Sequence, residues 1–267
     1  MTTINNRVTQ QTNDNLHSAS TSGTHTSAES RTALNGATHN TPSTNHEIST
    51  LALQLSAAAE RAAIRDSTQG YQSLAKQAQE TIEQLIGSDY DRHKKRNDSE
   101  LPNTDDPDLL ARAQQATDFV NRKGANPFRG LSREQLALIT YDDSGTFTVN
   151  ERRAAWSEAY DQEEAWRVRV CAMAMNEYNA TGKTSNFFKE VLRHYQELPK
   201  MERVQYPLDY PIQLQTRIAE EESKTTSSIS VHLTDSQLSE LFERLLGWSL
   251  SAQQIGAITT QTTSSTH

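Results

Sequence analysis

Apolar residues recur at helical spacing through most of the chain after His46, and very few recur before it. Residues 48–87 carry two such stretches, broken near Gly70. In the first, Leu51, Leu53, Leu55 and Ile64 sit among Ala57, Ala58, Ala59, Ala62 and Ala63, a composition with strong helix propensity. In the second, Leu74, Ala78, Ile82 and Leu85 form a 4-4-3 stripe that Gly87 ends. This predicts amphipathic helices whose apolar stripes, between Leu51 and Leu85, offer a surface to a partner. The charged residues 88–105, with Pro102 and Asn103, read as a linker.

A helical domain is expected over residues 106–250. Asp106 is an N-cap with Pro107 at the first helical position, followed by Leu109, Leu110, Ala113, Ala116, Phe119 and Val120, with Gly124 placed to end the helix. Ser132 with Gln135 is a capping-box signature ahead of Leu136 and Ile139. After a loop containing Gly145, a long helix is predicted from about Glu151 to Ala180, its buried face carrying Trp156, Tyr160, Val170, Cys171, Met175 and Tyr178. Gly182 ends it, and a further helix from Ser185 stops at Pro199. Residues 212–222 look helical. Thr234 with Gln237 forms a second capping box leading into Leu238, Leu241, Phe242, Leu245, Leu246 and Trp248. Only Thr146–Val149 hints at a strand. The expected fold is therefore all-α, a bundle-like domain flanked by a disordered segment 1–47 and a short polar tail 251–267.

The segment before the helices differs in kind. Its first 46 residues contain 11 Thr, 6 Ser, 7 Asn and 2 Gln, no aromatic residue and five strongly apolar ones. Such a composition buries too little surface to offset the entropy of ordering it. Arg7 and Arg31 balance Asp14 and Glu29, so the net charge of −8 belongs entirely to the chain after His46. An acidic body without a basic stripe argues against nucleic acid as a partner, because phosphate contacts need clustered Lys and Arg. The best basic run, Arg92 to Arg96, is flanked by Asp89, Asp91, Asp98 and Glu100, and reads as a solvated loop. One cysteine, Cys171, excludes an intramolecular disulfide framework. No apolar run reaches the roughly 18 residues of a membrane span, and no basic-then-apolar signal peptide is expected.

Residues Thr140 to Glu151 form the sharpest local motif. Gly145 is sixth, Glu151 twelfth and Asp142 third, with Ser144 fifth, Thr146 seventh and Phe147 eighth. The stretch resembles the calcium-binding loop of the EF-hand family, over residues 132–160. The resemblance implies Asp142, Ser144, Thr146 and Glu151 as metal ligands. Thr140 stands where the family places an Asp, so the implied calcium affinity is weak, and no second loop completes a pair. The competing reading is a glycine-containing connector whose Asp and Ser cap helix ends.

Other motifs reduce to structure. Gly182-Lys183-Thr184 is similar to the end of a phosphate-binding loop, but Glu177 holds the first glycine's place and a helix precedes it, so a C-cap meeting an N-cap accounts for it. Cys171 among Val170, Ala172, Met173 and Met175 reads as a core thiol, with His194 as the residue that would have to approach it to activate it. Glu163-Glu164 and Glu220 to Glu222 read as solvated helix faces. No cofactor is expected beyond weakly held calcium.

The leader carries a resemblance of its own. Ile4, the lack of any acid before Asp14 and 7 Ser in residues 1–50 make it similar to the N-termini of bacterial type III secretion substrates. The resemblance implies a secreted effector or accessory protein without a cleavable signal, acting by protein–protein binding, with a secretion chaperone or another protein engaging residues 48–87. The alternatives are a calcium-regulated helical protein, an effector enzyme whose site shows no motif, and a protein of the bacterial cytoplasm.

Overall fold

The computed structural model describes residues 44–224, and these form nine helices and no strand. The leader with Ile4, the second capping box at Thr234 and the polar tail lie outside the described residues. The helices are α1 (Thr44–Thr68), α2 (Tyr71–Ile86), α3 (Ser88–Asp98), α4 (Pro107–Val120), α5 (Arg133–Thr140), α6 (Val149–Thr181), α7 (Ser185–Glu197), α8 (Lys200–Arg203) and α9 (Tyr210–Ser223). The all-α expectation holds.

Local signals act where the sequence placed them. Asp106 accepts from the Asp108 amide and Pro107 follows it, opening α4. Ser132 and Gln135 form a complete capping box on α5. Gly182 ends α6 in the left-handed conformation at φ 68°. At α7 the cap has a different source: the Glu177 carboxylate accepts from the Asn186 and Phe187 amides at 2.8 and 3.0 Å, while Thr184 makes no side-chain cap.

The 33-residue helix α6 is the axis of the body, roughly 50 Å long. Its N-terminal half packs Ala154, Ala155 and Ala159 against Leu55 and Ala58 of α1, Ala116 of α4, and Leu136 and Ile139 of α5. Phe128 and Phe147, from the loops on either side of α5, complete that cluster. The C-terminal half packs Trp166, Val170 and Ala174 against Phe187, Phe188 and Val191 of α7 and Tyr210 and Leu214 of α9. Two smaller clusters join α2 to its neighbours, one with Ala137, Met201 and Val204, the other with Tyr90 and Val149.

Three expectations change here. Residues 88–98 are helix, not linker: Tyr90 and Asn97 of α3 are 2% exposed, and Tyr90 donates to Asn150 of α6 at 2.8 Å. A high charge density hid two anchoring side chains at 7-residue spacing. The basic run Arg92 to Arg96 accordingly sits on a helix, and Lys94 pairs with Asp98 at 2.7 Å. The apolar stripe of α2 is also not a surface, since Leu74, Ala78 and Leu85 are buried within the body. The residues expected on α1 divide: Leu55 is buried, while Leu53 and Ile64 are exposed.

The third change concerns the register of α6. Its buried residues run Ala155, Ala159, Glu163, Trp166, Val170 and Ala174, at 4-4-3-4-4 spacing. Trp156 and Tyr160, expected in the core, are half-buried beside that line, and Glu163, expected in solvent, is inside it at 2% exposure. Among the described residues no helix is long and apolar enough to cross a membrane.

Candidate functional site

The loop between α5 and α6 brings three of the four expected ligands together. Gly145 adopts φ 82°, the left-handed turn that its place in the motif calls for. Asp142 accepts from the Ser144 amide at 3.2 Å and the Ser144 hydroxyl at 3.0 Å, and Ser144 Oγ lies 2.8 Å from Thr146 Oγ1. The positive charge beside them is Arg61 of α1. Its Nε and Nη2 donate to the two Asp142 oxygens at 3.0 and 2.6 Å, and Nη2 reaches Thr146 Oγ1 at 3.4 Å. Burial raises the Asp142 pKa, but the Arg61 and Ser144 hydrogen bonds outweigh it and hold the carboxyl below its ordinary value.

Glu151 takes no part in that group. It is fully buried; Oε2 accepts from the Thr148 amide at 2.8 Å and the Thr148 hydroxyl at 3.1 Å, completing the capping box of α6. Oε1 accepts from Arg112 Nε at 2.8 Å, and the Arg112 guanidinium also lies over the Phe128 and Phe147 rings. The Thr140 carbonyl accepts from Arg152 Nε at 3.0 Å. Calcium takes six to eight oxygens around one centre. Here Asp142 and Glu151 are each committed to an arginine, Asp143 accepts from Gln77 at 3.2 Å, and among the described residues no three of His, Cys, Asp and Glu converge. The residues present do not fit the ion.

A second polar group, not anticipated, lies on the other side of α5. Arg133, the first residue of α5, donates to both oxygens of Glu202 on α8, with Nη2 at 2.7 Å from Oε2. It also donates to Glu163 at 3.2 Å and to the Ala159 carbonyl at 2.9 Å. His194 of α7 lies 2.9 Å from the same Glu163 oxygen, and its ring stacks on Trp166 with centroids 3.7 Å apart. His194 thus sits at the join between the two halves of α6 and not against Cys171, whose thiol is half-buried and shifted upward by burial.

The two carboxylates respond differently. Burial raises both, but at Glu163 the His194 hydrogen bond and Arg133 prevail and hold it low. At Glu202 burial wins over Arg133, so its carboxyl is pushed up.

Above this network a groove of about 730 Å³ opens between α2, α6 and α8. One wall is Trp156 and Tyr160, stacked at 5.5 Å, and the other carries Tyr71, whose hydroxyl donates to the Tyr206 carbonyl. Its floor includes Arg133, Glu202, Thr140 and Tyr141. Tyr141 Oη accepts from Gln205 at 2.9 Å, and burial first, then Glu202, raises its pKa so that the phenol keeps its proton. Thr140 is 2% exposed, and its hydroxyl has no hydrogen-bond partner among the described residues. The volume and aromatic lining are those of small-ligand sites.

Comparison with known proteins returned no match: no family model, curated protein or solved structure aligns with the chain. One signal for the unexpected site was present in the sequence. Glu163 falls on the same helical line as Ala155, Ala159, Trp166 and Val170, so a charge in that register has to be paired inside the body. Arg133 and Glu202, from distant segments, carry no such mark.

Proposed function

We propose that this chain is an effector or accessory protein of a bacterial type III-like secretion system, exported without a cleaved signal peptide, that acts by binding another protein. The leader carries the reading: Ile4, no acidic residue before Asp14 and 7 Ser in the first 50 residues. A polar leader of near-zero net charge suits passage through an export channel as an extended chain.

The body supplies a surface directly after that leader. Leu53 and Ile64 of α1 are 71% and 64% exposed. Eleven residues apart is close to three helical turns, so they share one side of α1, together with exposed Ser56, Glu60 and Ser67. This outer face is the partner surface we assign to residues 48–87, in place of the buried stripe of α2. A secretion chaperone that engaged Leu74, Ala78 and Leu85 has to do so before α2 joins the core, because all three are at 0% exposure in the folded body.

The test is export of a reporter fused to residues 1–50, compared between strains with and without a working type III export ATPase. Reporter outside only the first strain, lowered by Ile4→Asp, is expected. Equal retention in both strains assigns the chain to the bacterial cytoplasm and overturns the proposal.

A further inference from the structure

We infer that residues 234–248 of this chain dock on the outer face of the C-terminal half of α6, running antiparallel to it. The inference does not rest on export, and the face is distinct from the outer side of α1.

The inner line of this half of α6, Trp166, Val170 and Ala174, is covered by α7 and α9. On the opposite line Ala165, Val168, Ala172, Asn176 and Asn179 are exposed, Val168 at 70%, with half-buried Met175 at its edge. Their 3-4-4-3 spacing keeps them on one side of the helix over roughly 21 Å. A solvated helix face carries charged and polar residues. This one has no charge along its line: Asp161 bounds it at one end, and Arg169 and Glu164 stand on its two flanks.

The occupant follows from where α9 ends and what the sequence holds next. The end of α9 lies beside the C-terminal end of α6: Lys183 Nζ donates to the Glu222 carbonyl at 3.3 Å, and the Thr184 amide donates to Glu221 at 3.1 Å. Residues 224–233 can span up to about 33 Å, enough to carry the chain around a helix of about 10 Å diameter to the end of the face at Asn179. In residues 234–248, outside the described residues, Leu238, Leu241, Phe242, Leu245 and Leu246 recur at helical spacing after the Thr234 and Gln237 capping signature. A chain entering at Asn179 runs back toward Ala165. Charge favours the same direction. At about 100° per residue, Glu243 and Arg244 fall on opposite flanks of the Leu238–Leu245 line. Laid antiparallel on α6, the segment sets Glu243 on the side of Arg169 and Arg244 on the side of Glu164, whose side chain is 42% exposed and also meets Arg167 at 3.0 Å. A parallel approach sets like charges together, which disfavours it.

The test is photo-crosslinking in the full chain. p-Benzoylphenylalanine is placed at Ala165, Val168 or Asn176, one at a time; all three are exposed, so the body tolerates the change. Adducts are mapped by peptide mass spectrometry. Each probe is expected to bond to residues 234–248 of the same chain, the probe at Asn176 nearer Thr234 and the probe at Ala165 nearer Trp248. Leu241→Asp with Leu245→Asp should lower the yield about tenfold or more, since docking would bury two charges, while Ser236→Asp on the polar side leaves it unchanged. Adducts of doubled mass assign the face to a second copy and overturn the inference. It is equally overturned by the absence of adducts in residues 234–248, by the reverse order of adducts along the segment, or by an undiminished yield in the Leu241 and Leu245 variant.

Discussion

The two sides of α5 end in opposite conditions. Toward α1 and the start of α6, the loop that looks like a metal site is electrostatically closed: Arg61 answers Asp142, and Arg112 with the Thr148 cap answers Glu151. Toward α2 and α8, two residues before Asp142, Thr140 keeps an unanswered hydroxyl beneath a groove lined by aromatic rings. The comparison teaches that residue types at a suggestive spacing do not make a site. What makes one is bonding capacity that the fold leaves unused, and Asp142 and Glu151 have little left.

Removing the charge that holds the floor of the groove should have the largest effect. Arg133 is shared by two buried carboxylates, so Arg133→Ala leaves both without their guanidinium. It is expected to cost about 3–5 kcal/mol, read as the urea unfolding free energy. Glu202→Gln in that background should restore part of the loss, since burial already favours the protonated form of Glu202. A loss below about 1 kcal/mol would show that the floor is not organised by this pair.

Thr140→Val should move stability the other way. If the hydroxyl is unpaired in the free protein, replacing it with a methyl group removes a penalty of about 1–2 kcal/mol, a rise of a few degrees in Tm for a body of this size. An unchanged or lower Tm means that the hydroxyl is satisfied and that the two sides of α5 do not differ in unused bonding capacity.

Arg61 gives the smallest effect and a pH signature. Its side chain is 37% exposed, so solvent screening limits Arg61→Ala to about 1 kcal/mol or less near neutral pH. Because Asp142 is held below its ordinary value, its contribution is fully present above the unfolded pKa, about 4, and is lost as pH falls through the lower folded value. The difference between Arg61→Ala and wild type should therefore shrink toward acid pH. A difference independent of pH would mean that Arg61 does not hold Asp142 charged.

Much of the fold was legible because its signals are local: Asp106 with Pro107, the Ser132 and Thr148 caps, and Gly182 each act within one turn of where they stand. The candidate site was largely illegible for the opposite reason. Arg133, Glu163, His194 and Glu202 come from α5, α6, α7 and α8, and only their packing makes them neighbours. Trp156 and Tyr160 look like core residues in sequence, because an aromatic that lines an open groove and one that fills a core follow the same helical period. Their placement depended on a register set by Glu163, a residue whose charge argued for solvent until Arg133 and His194 were beside it.

Amide NMR of the full chain, titrated with calcium chloride, tests the closed state of the loop between α5 and α6 most directly. Millimolar calcium should leave the amides of Ser144, Gly145, Thr146 and Glu151 in place. Saturable calcium shifts at Gly145 and Glu151 would contradict the account.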